Sequence, residues 1–228
     1  MAKLPGAVFP RQLDKVLPLA ISSKGVWIET SDGKRYLDAS GGAVVVNVGH
    51  GREEIAQAVF EQLRNLSYVH GTMFTSSALE ELATALSART PAGLNRFYFI
   101  SSGSEAVETA VKLARQIQLA RGGADRQVLI SRWKSYHGLT LGALAAAGRT
   151  SFRVPFYPMI RDAVHIPPPY CLRCSYGLTY PGCRLRCALA LDETIHNIGP
   201  GVVSAFIAET VGGASIAVCP PPAGYWPL

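Results

Sequence analysis

Between residues 95 and 208 the sequence alternates short apolar runs with longer amphipathic stretches, a pattern that few folds accommodate. Asn95–Ile100 (NRFYFI), Gln127–Ser131 (QVLIS) and Val202–Ala208 (VVSAFIA) are brief and rich in β-branched or aromatic residues, as strands are. Between them, Ser102–Arg121 sets Val107, Ala110, Val111, Ala114 and Ile117 at helical spacing, and Leu185–Ile198 reads as a helix leading into the last strand. Apolar strands separated by helices predict a mostly parallel sheet covered by helices, an α/β fold.

The flanking sequence is organised differently. Val26–Glu29 and Arg35–Asp38 flank Ser31-Asp32-Gly33-Lys34, which predicts a hairpin closed by an Asp-Gly turn. Ser40–Gly51 (SGGAVVVNVGHG) is Gly-rich and apolar and is expected as a buried strand or loop in close contact with its surroundings. Two amphipathic helices follow, about 52–66 and 77–89, the second with Leu79, Leu82, Ala83 and Leu86 on one face. A stretch rich in Pro, Tyr and Cys from Thr150 to Pro181 breaks the alternation and reads as a long functional or interfacial loop. The final Cys219–Leu228 reads as a loop, an apolar ending that suggests truncation.

The net charge of +6 is dispersed: Arg149, Arg153 and Arg161 are loosely spaced, and Arg173, Arg184 and Arg186 sit among cysteines. No basic run interleaved with aromatics appears, which argues against nucleic acid as a partner; the charge is expected on a solvated surface or facing small anions. No apolar window is long enough to cross a membrane, and Pro5, Pro10, Asp14 and Pro18 break up the first nineteen residues, so no secretory signal is read there. A soluble cytoplasmic protein with reduced cysteines is the expectation.

Three short motifs carry chemistry. Ser101-Ser102-Gly103-Ser104-Glu105 follows a strand and opens a long helix, with Ser102 and Glu105 at capping-box spacing. Such a turn offers free N–H groups, the positive end of the helix and a small hydroxyl, which suit a phosphate, although a well-capped helix with no ligand has the same sequence. Ser135-Tyr136-His137-Gly138 follows the second strand, and Ala208-Glu209-Thr210-Val211-Gly212-Gly213 the third. In a parallel sheet both stand at the carboxyl end, where ligands bind. Alone, the first of these is equally a surface turn and the second a solvated acid.

Taken in order, the motifs resemble the class III, fold type I aminotransferases that use pyridoxal 5'-phosphate. The resemblance rests on Gly33-Lys34-Arg35-Tyr36-Leu37-Asp38, Gly49-His50, Ser102-Gly103-Ser104-Glu105-Ala106, Tyr136-His137-Gly138, Glu209 with its following glycines, and Pro221-Pro222-Ala223-Gly224-Tyr225. It implies that residues 1–45 belong to a small domain and 46–228 to an incomplete cofactor-binding large domain. It implies cofactor contacts at Ser102, Gly103, Ser104, Tyr136, His137 and Glu209: Gly103 and Ser104 on the phosphate, Tyr136 stacked on the ring, Glu209 near cofactor and substrate, and His137 in a structural role. Thr210 stands where the family has proline.

The family's chemistry needs a lysine bound covalently to the cofactor and an acid against the pyridinium nitrogen. The resemblance puts both after Tyr225. The lysines here are Lys3, Lys15, Lys24, Lys34, Lys112 and Lys134, none matches that role, and Asp192 lies in a helix. The expectation is the N-terminal half of an enzyme moving an amino group from an amine or ω-amino acid to a 2-oxo acid, a homodimer when intact. Alone, this half is expected to be inactive, a non-catalytic remnant or a partner subunit.

Cys171-x2-Cys174-x8-Cys183-x3-Cys187 has spacing that allows a four-thiolate zinc site, although C-x3-C is the less usual second pair. Reduced thiols in a loop are the preferred reading, zinc or disulfides the alternatives, and Cys219 stands alone.

Overall fold

The computed structural model describes residues 7–9 and 11–228, which fall into two compact units, Met1–Phe97 and Tyr98–Leu228. In the first unit the expected hairpin forms from β2 (Trp27–Thr30) and β3 (Arg35–Leu37), with Trp27 opposite Leu37 and Ile28 opposite Tyr36. Its turn closes through the Gly33 N–H donating to the Thr30 carbonyl, and φ of +78° at Gly33 is the conformation for which glycine is suited. A strand not anticipated from the sequence, β1 (Ala20–Lys24), pairs antiparallel with β2 and completes a sheet of order β1-β2-β3.

The Ser40–Gly51 segment is neither a strand nor buried. It contains the four-residue α1 (Gly41–Val44), whose backbone is left-handed throughout, with φ of +55°, +59°, +64° and +68°. The two glycines enter that region freely, and Ala43 and Val44 follow at a steric cost. Val44 and Val45 are 75% and 83% exposed. The close contact is confined to the segment's end, where Gly25 and His50 exchange two backbone hydrogen bonds. A β-carbon at Gly51 would stand 3.3 Å from the Ser23 carbonyl oxygen. The helices α2 (Glu53–Asn65) and α3 (Ser77–Ser87) form as expected, but neither buries a residue, and Leu79 and Leu82 remain exposed.

The second unit is the α/β part. Helix α4 (Gly103–Ala120) precedes β4 (Val128–Arg132), which lies between β5 (Val164–Ile166) and β6 (Val203–Phe206) and is parallel to both. Ile130 faces Val164 on one side and Phe206 on the other. Helix α7 (Arg186–Ile198) packs on β5, α5 (Leu141–Ala146) on β4, and α4 on both β6 and α5. Ile130, Ile166 and Ala190 are fully or almost fully buried, with Val164, Leu191, Ile195, Val203 and Phe206 packed around them.

Two expectations change here. Asn95–Ile100 belongs to neither sheet; alternating aromatics favour extended backbone, but a strand exists only by pairing. The long loop from Thr150 to Pro181 contains α6 (Thr150–Arg153) and β5, whose three residues before a run of prolines are too few to show a period. Ile130→Ala is expected to lower the unfolding free energy by about 2–5 kcal/mol, read by urea denaturation, because it removes side-chain volume where β4, β5 and α7 converge.

Candidate functional site

The turn before α4 is a working cap. Ser102 has extended backbone (φ −152°, ψ 160°), and its hydroxyl accepts the Glu105 N–H at 3.2 Å. Glu105 reaches back to the Ser101 N–H at 3.0 Å, one residue earlier than a standard capping box. The N–H groups of Gly103 and Ser104 lie in the first turn and have no carbonyl within the helix to bond. Beside Gly103 the space is open: a β-carbon there would meet nothing within 4 Å. An eighteen-residue helix thus presents unused donors and its positive end to free space.

The turn after β4 is pressed against this helix start. The Ser104 hydroxyl accepts the Leu139 N–H at 3.1 Å. Gly138 has φ of +123°, and a β-carbon there would stand 2.5 Å from Ser104 Oγ and 3.0 Å from the Ala143 β-carbon. Only glycine fits between the two. Glu108, one turn further along α4, accepts the Gly142 N–H at 2.8 Å and so caps α5. Those bonds, with the one from Thr140 foremost, hold its carboxyl below the ordinary value.

The end of β6 joins from the other side. The Glu209 carboxylate accepts the N–H groups of Gly213 and Tyr136, and the buried Arg132 donates to the Glu209 carbonyl. Burial raises the Glu209 carboxyl, and those donors and the Arg132 charge restrain the rise. Arg132 also lies over the rings of Tyr225 (5.9 Å) and Trp226 (5.5 Å), which ties the final segment to the strand end. The structure therefore brings Ser102, Gly103, Ser104, Tyr136, His137 and Glu209 into one connected region of the second unit. Tyr136 is half-buried, with its ring edge-to-face on Phe152 at 6.2 Å.

His137 is 9% exposed, and its Nε2 is buried without a hydrogen-bond partner. Burial, then the charges of Arg132 and His165, lower its pKa to about 4, so the ring is neutral at pH 7. The arginines are not all surface charge, as composition suggested. Arg153 is fully buried, ion-paired with Asp162 and over the rings of Trp133 and Tyr157, each 5.3 Å away.

The sequence reading missed Arg132, Glu108 and Gly148. Gly148 donates to both the carbonyl (3.1 Å) and the hydroxyl (3.0 Å) of Ser135 and fixes the turn that carries Tyr136. An arginine as the last residue of a buried strand was the available signal for Arg132. In the first unit, the separated Tyr36-Leu37-Asp38 and Gly49-His50 motifs meet, with Asp38 2.8 Å from His50 Nε2 and accepting the Gly42 N–H. Lys112 and Lys134 are exposed, the latter over the Tyr170 ring. All five cysteines are free thiols, and among the described residues no three His, Cys, Asp or Glu form a group able to hold a metal ion.

Two tests follow from the geometry. Gly138→Ala is expected to cost roughly 1–3 kcal/mol, from strain at positive φ and contact with Ser104, whereas Gly103→Ala in open space should cost far less. Thermal unfolding of the two variants checks the contrast. A histidine near 4 when folded and 6.5 when unfolded binds its proton more readily in the unfolded chain. Stability is therefore full above about 6.5 and falls as pH drops towards 4. His137→Gln should flatten that slope in denaturation curves across this range, with the contribution of His165, also lowered by burial, remaining.

Comparison with known proteins gives the chain's family and fold relatives. Residues 8–226 match the class-III aminotransferase family. The chain is 36% identical over 215 residues to the uncharacterized aminotransferase YodT of Bacillus subtilis (strain 168), covering 94% of this chain and 48% of that protein. It superposes on a thermostable (S)-enantioselective omega-transaminase from Thermomicrobium roseum with a TM-score of 0.90 and 36% identity, over 98% of this chain and 51% of that one. An amine transaminase from an uncultivated Pseudomonas species, solved in its PLP-bound form, gives a TM-score of 0.85 at 30% identity, over 100% of this chain and 51% of the other. The chain spans about half the length of the curated relatives it matches. By sequence and by fold, this chain belongs to the class-III aminotransferases.

Proposed function

We propose that this chain carries the phosphate-holding and ring-contacting part of a pyridoxal 5'-phosphate site, in a protein that moves an amino group from a primary amine or ω-amino acid to a 2-oxo acid. The observation that carries this reading is the pair of unused first-turn N–H groups at Gly103 and Ser104, facing open space where α4 begins. They suit a phosphate dianion, and the positive end of the helix adds to their attraction. Ser104 Oγ already accepts the Leu139 N–H, so its own proton is free to go to a phosphate oxygen.

The bound cofactor would supply an electron sink for ionising a C–H bond next to nitrogen. The chain's own residues position it. Tyr136 presents an aromatic face, and its backbone is fixed by its N–H bond to Glu209 and by the Gly148–Ser135 bonds. His137, uncharged, adds no positive charge beside the ring. Glu209 keeps its donors in place at the end of β6, where substrate would approach. We assign residues 1–45 to a small domain and 46–228 to the cofactor domain, in a cytoplasmic homodimer.

Among the described residues no lysine stands at this site. Lys112 is nine residues past Gly103 on α4, roughly 13 Å along the axis, and Lys134 points to Tyr170. The 228-residue chain is therefore expected to bind the cofactor without a covalent bond and without turnover, as a partner subunit would. In a spectroscopic titration it should take up pyridoxal phosphate saturably. Ser104→Ala should weaken binding about fivefold, the loss of one hydrogen bond of about 1 kcal/mol, and Gly103→Asp should abolish it by placing a carboxylate against the phosphate. Binding that ignores both changes refutes the site, and transamination by the purified chain alone refutes the claim that it lacks the covalent step.

A further inference from the structure

We propose that Cys171 and Cys174 form a redox-active dithiol, a site at which a small-molecule disulfide oxidises the pair to an intramolecular disulfide. The two bracket a single 3-10 turn, Cys171–Arg173, which begins with the Arg173 N–H donating to the Tyr170 carbonyl at 3.2 Å. Such a turn has three residues and rises about 2 Å per residue, so side chains three apart stand one above the other, their α-carbons about 6 Å apart. A disulfide asks for α-carbons roughly 4.4–6.8 Å apart, so this backbone can close the bond without rearranging. Both cysteines are free thiols and line one small cavity in the loop between β5 and α7, together with Cys183 and Cys187. Among the described residues no three His, Cys, Asp or Glu are grouped to hold a metal ion, so the cluster offers pairs of sulfurs rather than an ion cage. Cys183 and Cys187 are four apart, with Arg184 and Leu185 between them in left-handed backbone, and do not have the turn's three-residue period.

Cys171 is exposed and Cys174 half-buried, so a reagent in solution meets Cys171 first. The Cys171 thiolate attacks one sulfur of the reagent, forms a mixed disulfide and releases the first reagent thiolate. Cys174 then attacks the Cys171 sulfur, forms the protein S–S bond and releases the second. The two protons lost by the cysteines end on the two released thiolates; the pair is oxidised by two electrons and the reagent is reduced by two. Partial burial of its sulfur first, then the neighbouring Cys183 and Cys174, push the Cys171 thiol up. Only the thiolate attacks, so exchange is slow at neutral pH and quickens as pH rises. The turn adjoins groups that support the candidate site. Lys134, at the turn that carries Tyr136, lies over the Tyr170 ring at 5.6 Å, and Tyr180 of the same loop donates to the Ala223 carbonyl at 3.2 Å. Closing the pair would stiffen the turn that begins at Tyr170.

The test incubates the 228-residue chain with oxidised glutathione at mildly alkaline pH, then counts thiols and maps the linked peptides by mass spectrometry. The five free thiols are expected to fall to three, with Cys171 linked to Cys174, no glutathione left attached, and all five restored by dithiothreitol. Cys174→Ser should stop at the mixed disulfide, with glutathione held on Cys171. Cys183→Ser should close the Cys171–Cys174 bond as the unmodified chain does. If a variant does not fold, the thiol count and peptide map of the unmodified chain still decide. Five thiols unchanged, glutathione retained on the unmodified chain, or a bond from Cys171 or Cys174 to any other cysteine would overturn the proposal. No readout involves pyridoxal phosphate, so failure here leaves the cofactor site standing, and the converse holds.

Discussion

Everything at the candidate site depends on β4 being parallel to both of its neighbours. Parallel strands end at the same edge of a sheet, so residues that follow β4 and β6 in sequence arrive side by side. Tyr136 and Glu209 are seventy-three positions apart, yet the backbone of one bonds the carboxylate of the other. The start of α4 is brought to the same edge by packing on β6 and α5, and the missing side chain of Gly138 lets the last gap close. A register slip on either side of β4 would separate all three motifs at once.

Around this edge lies an unusual density of buried polar groups. Arg132 and Arg153 are both under 4% exposed, and each spreads its guanidinium over two aromatic rings in addition to its oxygen partners. Guanidinium suits this use because it is flat and weakly hydrated. His165 stacks on Trp133 at 4.4 Å beneath the same turn. Arg132 Nη1 and His137 Nε2 remain without partners, a cost that an apolar core would avoid and that binding sites commonly carry. The hydrophobic centre at Ile130 and Ile166 is small by comparison, and much of what orders the strand ends is hydrogen bonding and charge.

The α/β architecture and the motifs were legible because they are local. Helix α4 shows its period over eighteen residues, and a Ser-x-x-Glu cap names its own start. The Asp-Gly turn named the hairpin in the same way. What was not legible depends on distant pairing. The apolar run at Asn95–Ile100 has the composition of a strand and lies outside both sheets, while the three-residue β5 is a strand only because β4 lies beside it. The apolar Val44 and Val45 read as buried and are exposed, at the end of a run of left-handed residues that the composition does not announce. Within the site, the hydroxyl and carboxylate positions could be named from sequence, but Gly148, Glu108 and Arg132 act through contacts between elements that no spacing records.

The central claim is that the first turn of α4 is an anion site shaped for a phosphorylated aromatic. Backbone amide shifts on a ¹⁵N-labelled chain, followed while pyridoxal phosphate is added, test it most directly. The account predicts saturable shifts concentrated at Gly103, Ser104, Tyr136 and Leu139, with inorganic phosphate moving the α4 residues alone. Shifts scattered over the basic surface, or a first turn of α4 that does not respond, would contradict it.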